Sequence, residues 1–122
     1  MKKIDIHVHS RMYLTEEERN AIYQPIKDKL TYPAPEDIAI IYKRLGIEKG
    51  VLLVTVAPEG AHYTFTNLEA MRIVRRYPDL FYWFCGIDPR CWTNSPDTDL
   101  SHFINHYKKR GAKGIGEVTA KL

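Results

Sequence analysis

The sequence predicts an α/β fold, a parallel sheet of (β/α)4 type in which strands alternate with helices. Four strand-like runs begin near residues 3, 50, 80 and 113. In the segments between them, apolar residues recur every three to four positions, and capping residues mark the ends, as in amphipathic helices. Such regular alternation is typical of right-handed βαβ crossovers. We expect a single domain over residues 1–122, because a chain of this length buries enough surface for one core.

The first strand is predicted over Lys3–His9, where apolar and polar residues alternate. A period of two predicts that the apolar side chains share one face and the polar side chains the other. The apolar set is Ile4, Ile6 and Val8. The polar set is Asp5, His7 and His9.

Helices are predicted between the strands. Capping-box pairs indicate two helix starts. They are Thr15 with Glu18, in a short insert, and Thr66 with Glu69. A third helix over Glu36–Leu45 has apolar residues at i, i+3, i+4 and i+7, and Gly46 follows it in the position of a C-terminal cap. A fourth helix is predicted over residues 100–107, where apolar residues recur at helical spacing and a basic turn follows.

The other three strands are predicted over Gly50–Ala57, Leu80–Ile87 and Gly114–Val118. The first two are apolar on both faces, which is typical of parallel strands covered on both sides. Together with the first strand they predict one parallel sheet.

The composition excludes several classes of partner. The formal charge is only +3, so we expect no nucleic-acid partner. The longest apolar run, Val51–Ala57, is far shorter than the ~20 residues that span a bilayer, so we expect no membrane partner. Cys85 and Cys91 fit neither a disulfide framework nor a CxxC zinc pattern and are predicted to be free thiols. With no signal peptide at the N-terminus, these features predict a cytoplasmic protein.

The sharpest chemical signal is the Asp5-x-His7-x-His9 run. It lies near the carboxyl end of the first strand, where α/β active sites form. Imidazole nitrogen suits zinc and other divalent ions, so the pair predicts a divalent metal, with zinc as first choice. A catalytic zinc site needs three protein donors, and two histidines alone fit a pair of hydrogen-bonded side chains equally well.

Three segments carry a resemblance to a known family. KKIDIHVHS resembles the first strand of the amidohydrolase superfamily, and YPDLFYWFCGIDPR and KKRGAKGIGEV resemble the third and fourth units of its amidohydrolase-related branch, which is similar to aminocarboxymuconate-semialdehyde decarboxylase. The resemblance implies half of a (β/α)8 TIM barrel. In that family the HxH pair of strand one holds one or two metal ions, together with a later His of strand five, often a His of strand six, and an Asp of strand eight.

The resemblance implies roles for three residues. His7 and His9 match the HxH ligands of the family. Glu117 in GIGEV matches the acidic position of strand four that helps to hold the metals in TatD-like hydrolases. We therefore expect His7, His9 and Glu117 as metal ligands, and Glu117 as a catalytic residue.

Three further residues are candidates around that centre. Asp5 is expected to orient a nearby ligand histidine, because metal-bound imidazoles usually donate their second N–H to a carboxylate, and the alternative is an ordinary hydrogen bond within the strand. His62, in the loop after the second strand, is a candidate for substrate contact. Arg90, after the third strand, could bind a substrate carboxylate with two hydrogen bonds.

The function implied by the resemblance is metal-dependent hydrolysis, in which an activated water attacks a C–N or C–O bond of a small molecule. The matched part covers only the N-terminal half of the family's barrel, so the His of strand five and the Asp of strand eight are not among these 122 residues, and we expect little or no turnover from them alone. Three alternatives stay open. They are a metal-dependent decarboxylase of the same branch, a PHP-type phosphoesterase, and a half-barrel without catalysis.

The PHP class also opens with HxHS, but there a serine-aspartate-glycine segment follows, and Arg11–Glu18 contains no glycine. The half-barrel alternative has a physical basis, because four parallel strands leave two unpaired edges. We expect a homodimer in which strand four of one chain pairs with strand one of its partner and closes an eight-stranded barrel.

Overall fold

The computed structural model describes residues 2–11, 32–56 and 65–118. They form one four-stranded, all-parallel sheet in the order β1-β2-β3-β4, and a helix joins each strand to the next. The strands are β1 Lys3–Val8, β2 Ile47–Leu53, β3 Phe81–Cys85 and β4 Gly114–Ile115. The helices are α1 Pro35–Leu45, α2 Asn67–Arg76 and α3 Ser101–Lys108. The predicted α/β class and parallel sheet are confirmed.

The predicted helix ends are confirmed in two places. Gly46 ends α1 in the left-handed conformation, with φ 67°, and its N–H donates to the carbonyl of Tyr42. At the start of α2, the Thr66 hydroxyl accepts from the Glu69 N–H and the Glu69 carboxylate accepts from the Thr66 N–H. The helical insert predicted at Thr15 and Glu18 lies outside the described residues.

The strand bounds differ from the prediction. β2 begins at Ile47 instead of Gly50, because Gly46 turns the chain directly into the sheet and Ile47 already pairs with Lys3 of β1. Pairing with a neighbour, and not hydrophobicity, sets this strand start. β3 is shorter than predicted, and β4 ends at Ile115 instead of Val118.

The main core lies between one face of the sheet and the helices. The sheet contributes Leu52, Val54, Phe81, Trp83 and Cys85, and the helical side contributes Ile38, Tyr42, Phe65, Ala70 and Ile73. On the opposite face, Val51 and Leu53 are also buried, as expected for a strand covered on both sides. Tyr82 on that face is exposed, so the second face is covered over β2 but open over part of β3.

The strict alternation predicted for β1 is wrong. Asp5 pairs with Gly50 and Val8 pairs with Leu52, so β1 takes one more residue than β2 to cover this span. As a result the Asp5 carboxylate accepts from the Tyr42 hydroxyl of α1, at 2.8 Å, while Val8 packs against the same helix-covered core. Asp5 therefore lies on the helix side with Val8, and Ile4 and Ile6 are exposed.

The sheet is curled. Strands lie about 4.8 Å apart, so a flat sheet would hold β1 and β4 about 14 Å from each other. Yet side chains from the end of β1 reach Glu117, which follows β4. Curling turns the carboxyl ends of the outer strands toward a common centre.

Both cysteines are free, as predicted. Cys85 is buried in the core, and burial raises the pKa of its thiol. In the part of the chain that the structure describes, no helix is long and apolar enough to cross a membrane.

A buried asparagine holds the carboxyl end of β3. Asn67, the first residue of α2, donates from its amide nitrogen to the carbonyl of Gly86, and its amide oxygen accepts from the Gly86 N–H, both at 2.9 Å. Both backbone groups of Gly86 are therefore used by a side chain and not by a neighbouring strand.

We expect Asn67→Ala to lower the free energy of unfolding by at least about 2 kcal/mol, because it leaves the buried N–H and carbonyl of Gly86 unpaired. The measurement is urea unfolding followed by circular dichroism. Asn105→Ala, at an exposed position of α3, is the matched control and should change stability by less than about 0.5 kcal/mol. Equal effects of the two substitutions would contradict the role given to Asn67.

Candidate metal centre

Three donor atoms meet at the carboxyl end of the sheet. His7 and His9 come from the end of β1, and Glu117 follows β4. The Nε2 atoms of the two histidines are 3.1 Å apart. Oε2 of Glu117 lies 3.7 Å from Nε2 of His7 and 3.5 Å from Nε2 of His9. Among the described residues this is the group of His, Cys, Asp and Glu whose ligand atoms could hold an ion.

The spacing of these donors fits a tetrahedral cation. Zinc binds imidazole nitrogen and carboxylate oxygen at about 2.0 to 2.2 Å, which separates two donors of a tetrahedron by about 3.3 to 3.5 Å. The observed separations of 3.1, 3.5 and 3.7 Å bracket that range. A point about 2.0 Å from all three atoms exists between them, so these distances allow the three atoms to ligate one ion.

His9 is held in the tautomer that a metal requires. Its Nδ1 lies 3.2 Å from the carbonyl oxygen of Leu53 on β2. A carbonyl can only accept, so Nδ1 must carry the proton. In the neutral ring this leaves the lone pair on Nε2, which faces the other two donors. The ring of Tyr32, 5.0 Å away between centroids, packs beside the same imidazole.

The cluster as a whole is rich in electron pairs. The unprotonated Nε2 of His9, Nε2 of His7 and a carboxylate oxygen of Glu117 lie within 3.7 Å of one another. Such an arrangement needs either a proton on His7 or a cation between the donors. The side chain of His9 is 18% exposed and that of His7 57% exposed, so one side of the centre is open to solvent. An open position is what distinguishes a catalytic from a structural zinc site.

Asp5 acts on this centre through the backbone. One of its carboxylate oxygens accepts from the His7 N–H at 3.1 Å, and the other accepts from the hydroxyl of Tyr42. The hydrogen bond that was expected between Asp5 and an imidazole is not among its contacts; the carboxylate fixes the main chain of His7. Burial, and then the hydrogen bond to Asp5, raises the pKa of Tyr42 well above its usual value, so its hydroxyl stays a donor.

Glu117 reaches the histidines because, beyond the N–H of Gly116, the backbone stops pairing with β3 and bonds to Val54. The N–H of Gly116 donates to Cys85 at the end of β3, but its carbonyl accepts from the N–H of Val54 on the next strand. The N–H of Glu117 then donates to the carbonyl of Val54 at 3.1 Å. The segment thus crosses the end of β3 and brings Glu117 toward β1.

The two glycines of GIGE explain the local geometry. A side chain at Gly114 would meet the ring of Phe84 at 2.8 Å, and Gly116 has φ 150°, a conformation that side chains rarely adopt. The sequence pattern placed Glu117 at the fourth strand only by resemblance. These two glycines are the signal in the sequence that the chain changes course there.

Arg90 is not part of this group. The Arg90 guanidinium makes two hydrogen bonds to the carboxylate of Asp88, at 3.2 and 3.3 Å, and these bonds hold the pKa of Asp88 below its usual value. Arg90 is therefore engaged within its own loop. His62 lies outside the described residues.

Comparison with known proteins adds no family to this geometry. No family model matches the chain, and no curated protein matches it. The donors, their spacing and their position on the sheet are what characterise the site.

Proposed function

We propose that this chain is a metal-dependent hydrolase of the amidohydrolase type, with zinc bound by His7, His9 and Glu117. One observation carries the proposal: two imidazole nitrogens and one carboxylate oxygen lie at tetrahedral spacing at the carboxyl end of a parallel sheet. Three protein donors with one open side form the ligand set of catalytic zinc. Active sites of α/β barrels lie at this end of the sheet.

We propose further that the sheet is half of a (β/α)8 barrel. Side chains from β1 and from the segment after β4 meet at a common centre, which supports four strands occupying about half of a barrel's circumference. The two free cysteines support a cytoplasmic location, where thiols stay reduced.

In this mechanism each residue of the centre has a stated task. His7, His9 and Glu117 would hold the zinc, which would supply a bound water with its pKa lowered to about 7 as the nucleophile for a C–N or C–O bond. The carbonyl of Leu53 holds the proton of His9 on Nδ1, which keeps Nε2 a donor. Asp5 fixes the backbone of His7. Glu117 is the one carboxylate among the three ligands, so a zinc ion held there would keep one positive charge until its water ionises, which would favour an electron-rich carbonyl or carboxylate of a small molecule.

Two residues outside the donor set belong to the substrate side of the proposal. Arg90 is the candidate for binding a substrate carboxylate with two hydrogen bonds, as it now binds the carboxylate of Asp88. His62, which follows β2 in sequence, is the second candidate for substrate contact.

Metal binding tests the proposal first. We expect the purified protein to bind about one equivalent of zinc, and His7→Ala and Glu117→Gln each to weaken binding at least about 100-fold, because loss of a ligand costs more than loss of an outer partner. Isothermal titration gives the affinities. His106→Ala, at an exposed position on α3, is the control and should bind as the wild type does.

Retention of less than about a tenth of an equivalent of any transition metal by the wild type, unchanged in His7→Ala, would contradict the proposal. Assays of the loaded protein on small amides, esters and lactones then separate the chemistries. Release of carbon dioxide from a carboxylate substrate would instead indicate the decarboxylase, and release of phosphate from a phosphoester the PHP-type enzyme. Because little or no turnover is expected from these 122 residues alone, metal binding without turnover would support the metal site and would fit the half-barrel without catalysis equally well.

A second proposal concerns the open face of the sheet. Ile4 and Ile6 on β1 are exposed, and the outer edges of β1 and β4 have no partner strand among the described residues. We infer that two copies close into one barrel, β4 of each beside β1 of the other, because a second copy supplies four strands of the same curl and an eight-stranded barrel is filled by its own side chains.

We expect sedimentation velocity to show a dimer at micromolar concentration, and Ile6→Lys to convert it to a monomer by placing a charge in the closed interior. Ile6 is 73% exposed in the single chain. Ile40→Lys is the matched control, since Ile40 is 59% exposed but lies on α1, outside the barrel, and it should leave the dimer intact. A wild-type protein that sediments only as a monomer would refute the dimer and leave the metal proposal standing.

A further inference from the structure

We propose that Gly116 is a positioning residue of the metal centre, and that it places Glu117 by docking the chain onto the backbone of Val54, next to the Leu53 carbonyl that holds His9. This inference rests on the proposed metal site and names a group that makes no contact with the ion. Neither Leu53 nor Val54 offers a donor side chain. Their main-chain atoms, however, hold two of the three ligands.

Two adjacent residues hold these two ligands, namely Leu53, the last residue of β2, and Val54, which follows it. The Leu53 carbonyl accepts from Nδ1 of His9 at 3.2 Å. The next residue, Val54, donates its N–H to the carbonyl of Gly116 and accepts from the N–H of Glu117, at 3.4 and 3.1 Å. Since Val54 is fully buried in the core, this part of the backbone is rigid. His9 and Glu117 are therefore set relative to each other by one short, fixed stretch of chain.

The end of β3 leaves the Val54 carbonyl free for this arrangement. Backbone groups of successive residues on β3 alternate between its two neighbours: the carbonyl of Leu80 accepts from Gly50 of β2, whereas the carbonyl of Cys85 accepts from Gly116. Gly86 therefore faces β2, but both of its backbone groups are bonded to the side chain of Asn67. The carbonyl of Val54, which a regular β2–β3 ladder would pair with the Gly86 N–H, accepts from Glu117 instead.

Gly116 is the residue at which the chain changes from one strand to the other. Its φ of 150° lies in a region that a Cβ atom disfavours. The space around it is not the constraint, since an added Cβ would find its nearest atom, on Phe84, at 3.7 Å. Replacing Gly116 by alanine therefore changes the direction of the chain and not the packing.

The test compares Gly116→Ala with Gly111→Ala. Gly111 also has a positive φ, 95°, with open space around it, so the backbone cost is matched, but it lies before β4. We expect Gly116→Ala to weaken zinc binding by about 10- to 100-fold, as loss of outer-shell support does, and Gly111→Ala to change it less than about twofold. The visible spectrum of bound Co²⁺ should lose its tetrahedral intensity in Gly116→Ala and keep it in Gly111→Ala.

A wild-type measurement covers the case in which Gly116→Ala does not fold. Amide hydrogen exchange with and without zinc should show the N–H groups of Val54 and Glu117 slowed by at least about tenfold by the metal, because ligation of Glu117 fixes the segment that they hold. The N–H of Lys109, bonded to Asn105 at the end of α3, is the control and should not change.

The outcomes separate the two proposals. Zinc binding by the wild type with equal affinity and spectrum in Gly116→Ala, or with no slowing at Val54 and Glu117, would overturn the role of Gly116 and leave the metal site intact. No zinc binding by the wild type would overturn the proposed function itself. Weakened binding in both glycine variants alike would show a general loss of stability and would also overturn the positioning role.

Discussion

The hydrogen bonds at the carboxyl end of β2 connect three segments that are far apart in the sequence. Leu53 binds the ring of His9 from β1, and Val54 binds Gly116 and Glu117 from the segment after β4. These are main-chain groups of two buried residues, so their positions depend on the core and not on the site. Without them the two histidines would have no fixed carboxylate opposite, and the centre would be an exposed HxH pair.

The core sets this constraint through Asn67. By using both backbone groups of Gly86, its side chain replaces the β2 backbone as the partner of Gly86 and leaves the Val54 carbonyl to accept from Glu117. The chain then turns to Val54, and Glu117 arrives over the centre of the curled sheet. A residue of the helix layer therefore helps to decide where an acidic side chain lies on the opposite side of the sheet. The hydrogen bonds of Asn67 to Gly86 and the position of Glu117 in the metal centre are thus linked through the backbone of Val54.

Much of the fold could be predicted from local signals. Capping residues and Gly46 located the helix ends, because these signals act within a few residues. The histidine pair was evident from its spacing. The irregular register of β1 could not be predicted, since it depends on how Asp5 and Val8 fit against α1 and β2. The bounds of β2 and β4 were wrong for the same reason, because pairing partners set them and hydrophobicity does not.

The third donor was the hardest part of the site to predict. The resemblance pointed to Glu117, but spacing alone does not say that a residue after the fourth strand reaches the first. That contact requires the curl of the sheet and the crossing at Gly116, and both are properties of the assembled chain. The same holds for Asp5, whose place among the polar residues of β1 suggested an imidazole partner, whereas the register shift directs it to Tyr42.

The central claim is that two imidazoles and one carboxylate bind a single cation. X-ray absorption spectroscopy of the zinc-loaded protein measures this directly, because it reports the type, number and distance of the ligand atoms. We expect only nitrogen and oxygen neighbours at about 2.0 to 2.1 Å, with the outer-shell scattering of two imidazole rings. Sulfur at about 2.3 Å, or the signature of fewer than two imidazoles, would show that the metal binds elsewhere and would contradict the claim.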